Sequence, residues 1–555
     1  MPPAELVFVG GDVVTMARDR RVTAVAIAGG RIRAVGDDAT VRDWIGPRTR
    51  VVPLQGRTLL PGFTDAHVHP VLAGPELLRC ALHEVERTPD AYLAAIAAYA
   101  AAHADEPWVV GGGWYMEAFP GGTPTAAALD RVVRDRPAYL ANRDVHGAWV
   151  NSRALALAGI DRTTPDPPDG RIERDAAGEP TGTLHEGAAD LVGRLVPAMT
   201  LEERVRGLAA AQAYLHRLGI VAWQDAWVEP AGLDAYVALA ERGGLTGRAT
   251  VCHWWERGEG VAQVEGIVER RRRASVGRLA GGTVKIMVDG VAENWTAAML
   301  EPYLDGDGRP TGNRGTLFLE PDALRAAVAR LDAAAFQVHF HALGDRAVRE
   351  SLDAIEAARR ANGPADRRHH LAHLQVVDPA DVGRFARLGA VATIQPYWAC
   401  NDAQMTELTT PFLPPARAAL QYPFASLLRA GAMLAGGSDW SVSTPDVLAQ
   451  VEVAVTRVSR DAPTAEPLLP AESIALLDAL RAFTVGGAYV CHREADAGTI
   501  EVGKLADLVV LDRDLLGAAG AGAGAAAGAR IGDARVVLTL VEGEAVFEDP
   551  ALEAG

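Results

Sequence analysis

Hydrophobic and polar positions divide this chain into two regimes. Near the start, short apolar runs are broken by glycine turns, which predicts strands at Leu6–Gly10, Asp12–Met16, Val22–Ala28, Arg31–Val35, Val51–Pro53 and Arg57–Leu60. The same pattern returns late, at Leu508–Leu511, Ala534–Val541 and Ala545–Glu548. Neither set is large enough to close a core alone. The two chain ends are therefore expected to pair in one small β-sandwich, built from residues 1–60 and 491–555.

Between them, residues 61–490 alternate short continuous apolar runs with amphipathic helical stretches such as Thr200–Leu218 and Asp322–Ala335. Strands that alternate with helices point to an α/β fold with a parallel sheet, here a distorted (β/α)8 TIM barrel. The eight barrel strands are predicted at Gly62–His69, Val221–Asp225, Arg248–His253, Gly282–Val288, Gln337–His341, His370–His373, Val391–Gln395 and Ala432–Gly436. A minimal barrel needs ~250 residues, so this stretch must hold an insertion. It is placed at about 75–200, which contains Trp114, Tyr115, Trp149 and a Pro/Asp/Gly-rich patch at 161–180. Ala91–Ala102 reads as a buried helix, and the Ala/Gly run 517–529 as a flexible surface loop.

Composition narrows the partners. With 555 residues and 49% hydrophobic positions the chain supports a large core and two or three compact units. A net charge of −17 argues against nucleic acid, which needs a basic face. No apolar run approaches the ~20 residues of a membrane helix, and the first ten residues show no basic segment ahead of an apolar one. Cys80, Cys252, Cys400 and Cys491 are too widely spaced for a zinc-finger or disulfide framework and read as free thiols in a reducing cytosol. The expected partner is a small-molecule substrate; the oligomeric state stays open, with a homodimer among the options.

Chemistry enters at His67-Val68-His69, which directly follows the apolar run 58–63. Strand side chains alternate with period two, so both imidazoles face one way and make half of a divalent-metal site. Lysine use is the second signal. Of 54 Lys plus Arg, only Lys285 and Lys504 are lysine, and Lys285 lies inside Thr283-Val284-Lys285-Ile286-Met287-Val288, a predicted buried strand. A buried ammonium is costly. Unlike arginine, a buried lysine can lose its proton and combine with carbon dioxide as a carbamate, an anionic oxygen ligand able to bridge two metals. Asp439 follows Gly436-Gly437-Ser438, whose small residues allow close backbone approach, and it is the only acid there.

These stretches, together with H-F-H-A-L-G-D-R-A (339–347), L-A-H-L-Q (371–375), H-G-A-W-V-N-S-R-A-L (146–155) and G-T-I-E-V-G-K-L-A-D-L-V-V-L-D (498–512), resemble the metal-dependent amidohydrolase superfamily. The resemblance is to its amidohydrolase-3 branch, which includes N-substituted formamide deformylases, and it runs over nearly the whole chain. It implies one or two divalent metal ions, zinc first, held by His67, His69, Lys285, His341, His373 and Asp439, with Lys285 carboxylated. His341 is chosen over His339 because the family's ligand directly precedes A-L-G-D. Asp439 becomes the general base that takes a proton from the attacking water and passes it to the leaving nitrogen. His146 is a candidate for substrate contact or oxyanion stabilisation, with a structural histidine as the other reading. Asp65 is a candidate to support the ligands from behind, and Asp345 to anchor a loop or cap a helix. His369 and His370 match no motif and are expected at the surface or behind the ligands. Trp114, Trp295 and Trp440 are candidates for an apolar pocket, and Glu293 and Trp295 stand where relatives carry small polar residues and an arginine.

The expected activity is hydrolysis of a non-peptide carbon–nitrogen bond in an amide, formamide or cyclic amide. Deamination of a ring amidine carbon, or ester or carbon–carbon hydrolysis at the same site, are the alternatives. An intact ligand set argues against a non-catalytic scaffold.

Overall fold

The computed structural model describes residues 2–17, 21–83, 85–143, 145, 147–167, 170–518 and 531–552. His146 and most of the Ala/Gly run 517–529 lie outside the described residues. The chain divides into two compact units, one of residues 1–69 with 212–555 and one of Pro70–Ala211.

The larger unit holds an eight-stranded parallel sheet in sequential order: β1 (Phe63–Val68), β2 (Ile220–Val228), β3 (Arg248–Trp254), β4 (Leu279–Met287), β5 (Gln337–Ala342), β6 (His370–His373), β7 (Val391–Ile394) and β8 (Met433–Gly436). All eight coincide with the predicted strands to within a few residues at each end. Polar and apolar positions alike are mostly buried in them because a barrel covers both faces of each strand. Every residue of β1, β5, β6 and β7 is buried. No ladder joins β8 to β1 among the described residues. The seam closes just past the strand ends instead, where Asp439 N donates to His67 O (2.7 Å) and His69 N donates to Trp440 O (2.8 Å). The result is a sheet nearly closed into a barrel.

Helices return the chain between strands. Pro379–Leu388 shows why these segments are helical: the Asp378 side chain accepts from Ala380 N, Pro379 sits in the first turn, and Gly389 ends the helix at φ 67°. A left-handed residue at that position suits glycine, which has no Cβ to clash. Phe385 and Leu388 form its buried stripe.

Two small sheets complete this unit. A four-stranded sheet comes from Leu6–Val9, Ala24–Ala28, Arg31–Gly36 and Arg50–Pro53. A six-stranded sheet joins both chain ends: Asp12–Val14, Arg21–Val22 and Thr58–Pro61 pair with Leu508–Leu511, Val536–Val541 and Glu544–Glu548. One core takes Phe8, Val25, Ile27 and Val52 from the first sheet and Leu59, Leu508, Val510 and Leu540 from the second. Thr58–Pro61 runs on through Gly62 into β1, so the sandwich fixes the strand that carries His67. Arg248 at the start of β3 is 3% exposed and ion-pairs with Asp507 and Glu542 of the second sheet's loops.

The unit Pro70–Ala211 contains a six-stranded sheet ordered Gly170–Arg174, Pro180–Glu186, Gly147–Val150, Ala138–Asn142, Val109–Trp114 and Cys80–Ala81. It begins and ends further out than the 75–200 read from the sequence. Trp114 and Trp149 pack around Phe119 at ring distances of 5.7 and 5.2 Å and are 1% and 0% exposed. They fill the core, which corrects the pocket role suggested for Trp114. Helix Pro89–Ala102 buries only Tyr92, Leu93 and Ile96, so it is half-buried and not the fully buried helix expected.

Candidate metal centre at the barrel mouth

Barrel chemistry sits where the strands end, and β1, β6 and the turn after β8 deliver side chains to one point. His67 is the penultimate residue of β1 and His69 follows it; their rings lie 5.2 Å apart, as alternation requires. His373 ends β6 with its ring 4.7 Å from that of His67 and 4.5 Å from that of His341 on β5. Asp439 Oδ1 lies 2.8 Å from His69 Nε2 and 3.3 Å from His67 Nε2, and Oδ2 is 4.0 Å from His373 Nδ1. Donor atoms of His67, His373 and Asp439 all fall within 4.8 Å of one another, and all three residues are buried.

The backbone is bent to achieve this. His373 and Asp439 both have positive φ, 80° and 57°. A non-glycine residue in that region is strained by about 1–3 kcal/mol, and such strain gathers at functional sites. Trp398 stacks on the His373 ring at 5.3 Å, and Gln395 Oε1 accepts from His373 N at 2.7 Å. Both ring nitrogens of His373, and Nδ1 of His69, are buried without a hydrogen-bond partner. Buried polar atoms are almost always satisfied, so the orphaned His373 nitrogens beside the Asp439 carboxylate suit a divalent cation. Imidazole and carboxylate suit zinc, manganese, cobalt or iron.

Lys285, near the end of β4, is 2% exposed and lies in register with His339. Burial pushes its ammonium down to about 8, against the pull of Asp439 and of the Cys252 thiol. Among the described residues it forms no ion pair; the pairing with Asp289 that would have argued against a carbamate is absent. Asp289 instead accepts from Ala298 N (2.9 Å), Leu343 N (3.1 Å) and Gly344 N (2.9 Å), and its Oδ1 lies 3.3 Å from His341 Nδ1. It therefore orients His341 and stitches two loops. Burial raises its acid to about 7 despite those bonds, and raises Asp65 to about 7 as well. Asp65 Oδ1 accepts from His67 N and Ser438 N, tying β1 to the turn that carries Asp439. Burial also pushes Asp439 up, but the hydrogen bond from His69 and the neighbouring basic groups outweigh it and hold the carboxyl below its ordinary range. Burial, reinforced by neighbouring basic groups, holds His67, His339 and His373 well below the ordinary imidazole value, so they are neutral.

His369 and His370 are 4% and 0% exposed, not surface residues: His369 Nδ1 accepts from Val338 N, and the His370 ring lies 3.9 Å from that of His339. Asn151 caps helix Ser152–Ala158 and donates to Val133 O and Arg136 O, a structural role. Asp345 accepts from Leu300 N and ion-pairs with Arg417 at 2.7 Å, the anchoring role. Trp440 is 6% exposed against Tyr214, while Trp295 is 39% exposed beside Phe412. Asp289, Gln395, Trp398 and His339 are the supporting residues that sequence reasoning missed or passed over. Only His339 carried a visible signal, since it shares the inward face of β5 with His341.

The amidohydrolase family model matches residues 50–547. Protein LONG AFTER FAR-RED 3 from Arabidopsis thaliana is 32% identical over 88% of this chain and 83% of its own. An N-substituted formamide deformylase from Arthrobacter pascens is 29% identical over 92% of this chain and 94% of its own. The crystal structure of an uncharacterized metal-dependent hydrolase from Pyrococcus furiosus shares the fold, with TM-score 0.72 at 24% identity over 92% of this chain and 99% of that one. With eight parallel strands, a histidine and carboxylate cluster at their ends and a family match over most of its length, the chain belongs to the amidohydrolase family, hydrolases of carbon–nitrogen bonds other than peptide bonds.

Proposed function

We propose that this protein hydrolyses an amide, formamide or cyclic amide of a small molecule at a divalent-metal site, with Asp439 as the proton carrier. The observation that carries the reading is the convergence of His67, His373 and Asp439 donor atoms within 4.8 Å, with both His373 nitrogens buried and unpartnered. His67, His69, His341, His373, Asp439 and a carboxylated Lys285 would hold one or two divalent ions, with zinc the first candidate. Bound there, such an ion lowers the pKa of water toward ~7 and polarises a carbonyl oxygen.

The chain's own residues supply the rest. Asp439 is ionised and held by His69, so it can take the proton of the attacking water as the new C–O bond forms. It then returns that proton to the nitrogen as the C–N bond breaks, giving a carboxylic acid and an amine. Asp289, 3.3 Å from His341 Nδ1, holds a proton on that nitrogen and fixes the orientation of the ring. Trp398 fixes the plane of the His373 ring, and Gln395 holds its backbone N–H. The name of the Arthrobacter relative supports formamides as the first substrates to try.

No helix among the described residues is long and apolar enough to cross a membrane. The four cysteines are unpaired and three are buried, which supports the cytosolic location we assign.

The test is product analysis with zinc-loaded enzyme on N-formyl amines, N-acyl amines and small lactams. The reading expects a carboxylate and an amine in equal amounts. Release of ammonia from a ring amidine, with no turnover of any amide, would replace it with deamination.

A further inference from the structure

Beneath the metal cluster, a chain of buried side chains leads from the far end of the barrel to His67, and hydrogen-bond chemistry sets its direction. It starts at two backbone carbonyls, which can only accept. Gln337 Nε2 donates to Arg368 O (2.8 Å) and Val490 O (2.9 Å). The flipped amide would set oxygen against oxygen, so this orientation is fixed. Gln337 Oε1 therefore faces inward and accepts from Thr283 Oγ1 (2.8 Å) and Gln224 Nε2 (3.1 Å). That turns Gln224 Oε1 toward Cys252, whose thiol donates to it at 3.6 Å. A thiol has one proton, so the sulfur is left as an acceptor toward His339 Nδ1, also at 3.6 Å. His339 then carries its proton on Nδ1 and offers the electron pair of Nε2, which lies 2.8 Å from His67 Nδ1. The His67 proton must sit on Nδ1, and His67 Nε2, beside Asp439, is left with a free pair. Gln224, Cys252, Gln337 and His339 are 0%, 0%, 5% and 0% exposed, so bulk solvent does not reach these bonds. The His370 ring, tied to Thr393 Oγ1 at 2.8 Å, holds the plane of His339 from one side.

We propose that His339 is a positioning residue, the acceptor for His67 Nδ1–H that fixes the ring tautomer in which His67 Nε2 can hold a divalent metal. Without this direction set from below, the neutral imidazole could place its proton on Nε2, toward Asp439, and lose the electron pair a metal needs. Metal-binding histidines commonly owe their tautomer to a partner on the other nitrogen, and loss of such a partner weakens metal binding about 10–100-fold. Here that partner is a second histidine, oriented in turn by a thiol and two glutamines. The inference rests on the metal-dependent reading above.

Metal-free protein is titrated with zinc against a chromophoric chelator for the parent, His339→Gln, His339→Met, Cys252→Ala and Cys252→Ser, with the melting curve of each metal-free form as the check on folding. Gln and Met are close in size and shape, but Gln keeps a strong oxygen acceptor where the Met thioether is only a weak one. His339→Met should weaken the tightest zinc binding about 10–100-fold, and His339→Gln should recover most of it. Equal affinities for the parent and a folded His339→Met, or equal losses in Met and Gln, would overturn the proposal. If His339→Met does not fold, the cysteine pair decides. A several-fold loss in Cys252→Ala that Cys252→Ser restores supports the relay, and an unchanged affinity in Cys252→Ala overturns it. A parent that binds no zinc would instead bring down the metal-dependent reading itself.

Discussion

Replacing Asp439 by Asn should leave a folded, metal-loaded protein with most of its turnover gone. The carboxylate is 6% exposed, and one of its oxygens lies 2.8 Å from His69 Nε2 and 3.3 Å from His67 Nε2. Asn preserves the volume, the turn after Gly437 and one carbonyl oxygen for those contacts. It loses the ability to accept a proton from water and return it to nitrogen. A positioned proton carrier contributes typically 10²–10⁴-fold, so the barrier should rise by about 3–5 kcal/mol. The loss should fall on kcat, because the proton moves in the transition state and not on substrate binding. The assay follows amine release from the best substrate of the panel, with zinc content measured on the same sample. Turnover within a few fold of the parent at unchanged zinc content would refute the proton role of Asp439. Loss of zinc together with activity would make Asp439 chiefly a ligand.

Three further outcomes follow from the geometry. Burial holds the Lys285 amine at about 8, and only the neutral amine combines with carbon dioxide. Activation of metal-free enzyme by zinc at fixed dissolved carbon dioxide should therefore speed up about tenfold per pH unit below 8 and level off above it, while Lys285→Arg never activates; an active Arg variant refutes the carbamate. A Cβ on Gly437 would lie 2.6 Å from His67 Cβ and 2.8 Å from His67 N, so Gly437→Ala should lower stability by about 1–3 kcal/mol and weaken zinc binding. An unchanged melting temperature and zinc affinity would contradict that contact. Asp289→Ala orphans three backbone N–H groups, each worth about 1–3 kcal/mol when left unsatisfied, and should shift the denaturation midpoint by more than any surface Asp→Ala; an equal shift would show that the loops find other acceptors.

The barrel was legible because its strands are buried on both faces and include continuous apolar runs such as Ala432–Gly436. The sandwich was legible because two short strand sets, neither sufficient alone, stand at opposite ends of the chain. The ligand set was legible because the H-x-H spacing, an isolated strand lysine and a Gly-Gly-Ser-Asp turn each restrict chemistry locally. What escaped depends on neighbours across the sheet. Nothing in Val391–Gln395 says that Gln395 will hold the His373 backbone, or that Trp398 will stack on its ring, since both follow from the β6–β7 register. His370 reads from the sequence as either a surface or a supporting histidine, and its contact with the His339 ring shows only in the β5–β6 pairing. His339 was legible as inward-facing, but its partners Cys252 and Gln224 lie on β3 and β2, and only the closed sheet brings the three together. Trp114 and Trp149 show the converse, since large aromatic residues near motifs still serve mainly as core.

The most direct test of the account is metal stoichiometry tied to activity in one preparation. Protein purified without chelator is assayed by elemental mass spectrometry and for amide hydrolysis, then stripped, reassayed and reloaded with zinc. The account predicts one or two transition-metal ions per chain, loss of turnover on stripping and its return on reloading, with neither binding nor return in a His67→Ala, His373→Ala double variant. Full hydrolytic activity in protein shown to be metal-free would contradict it.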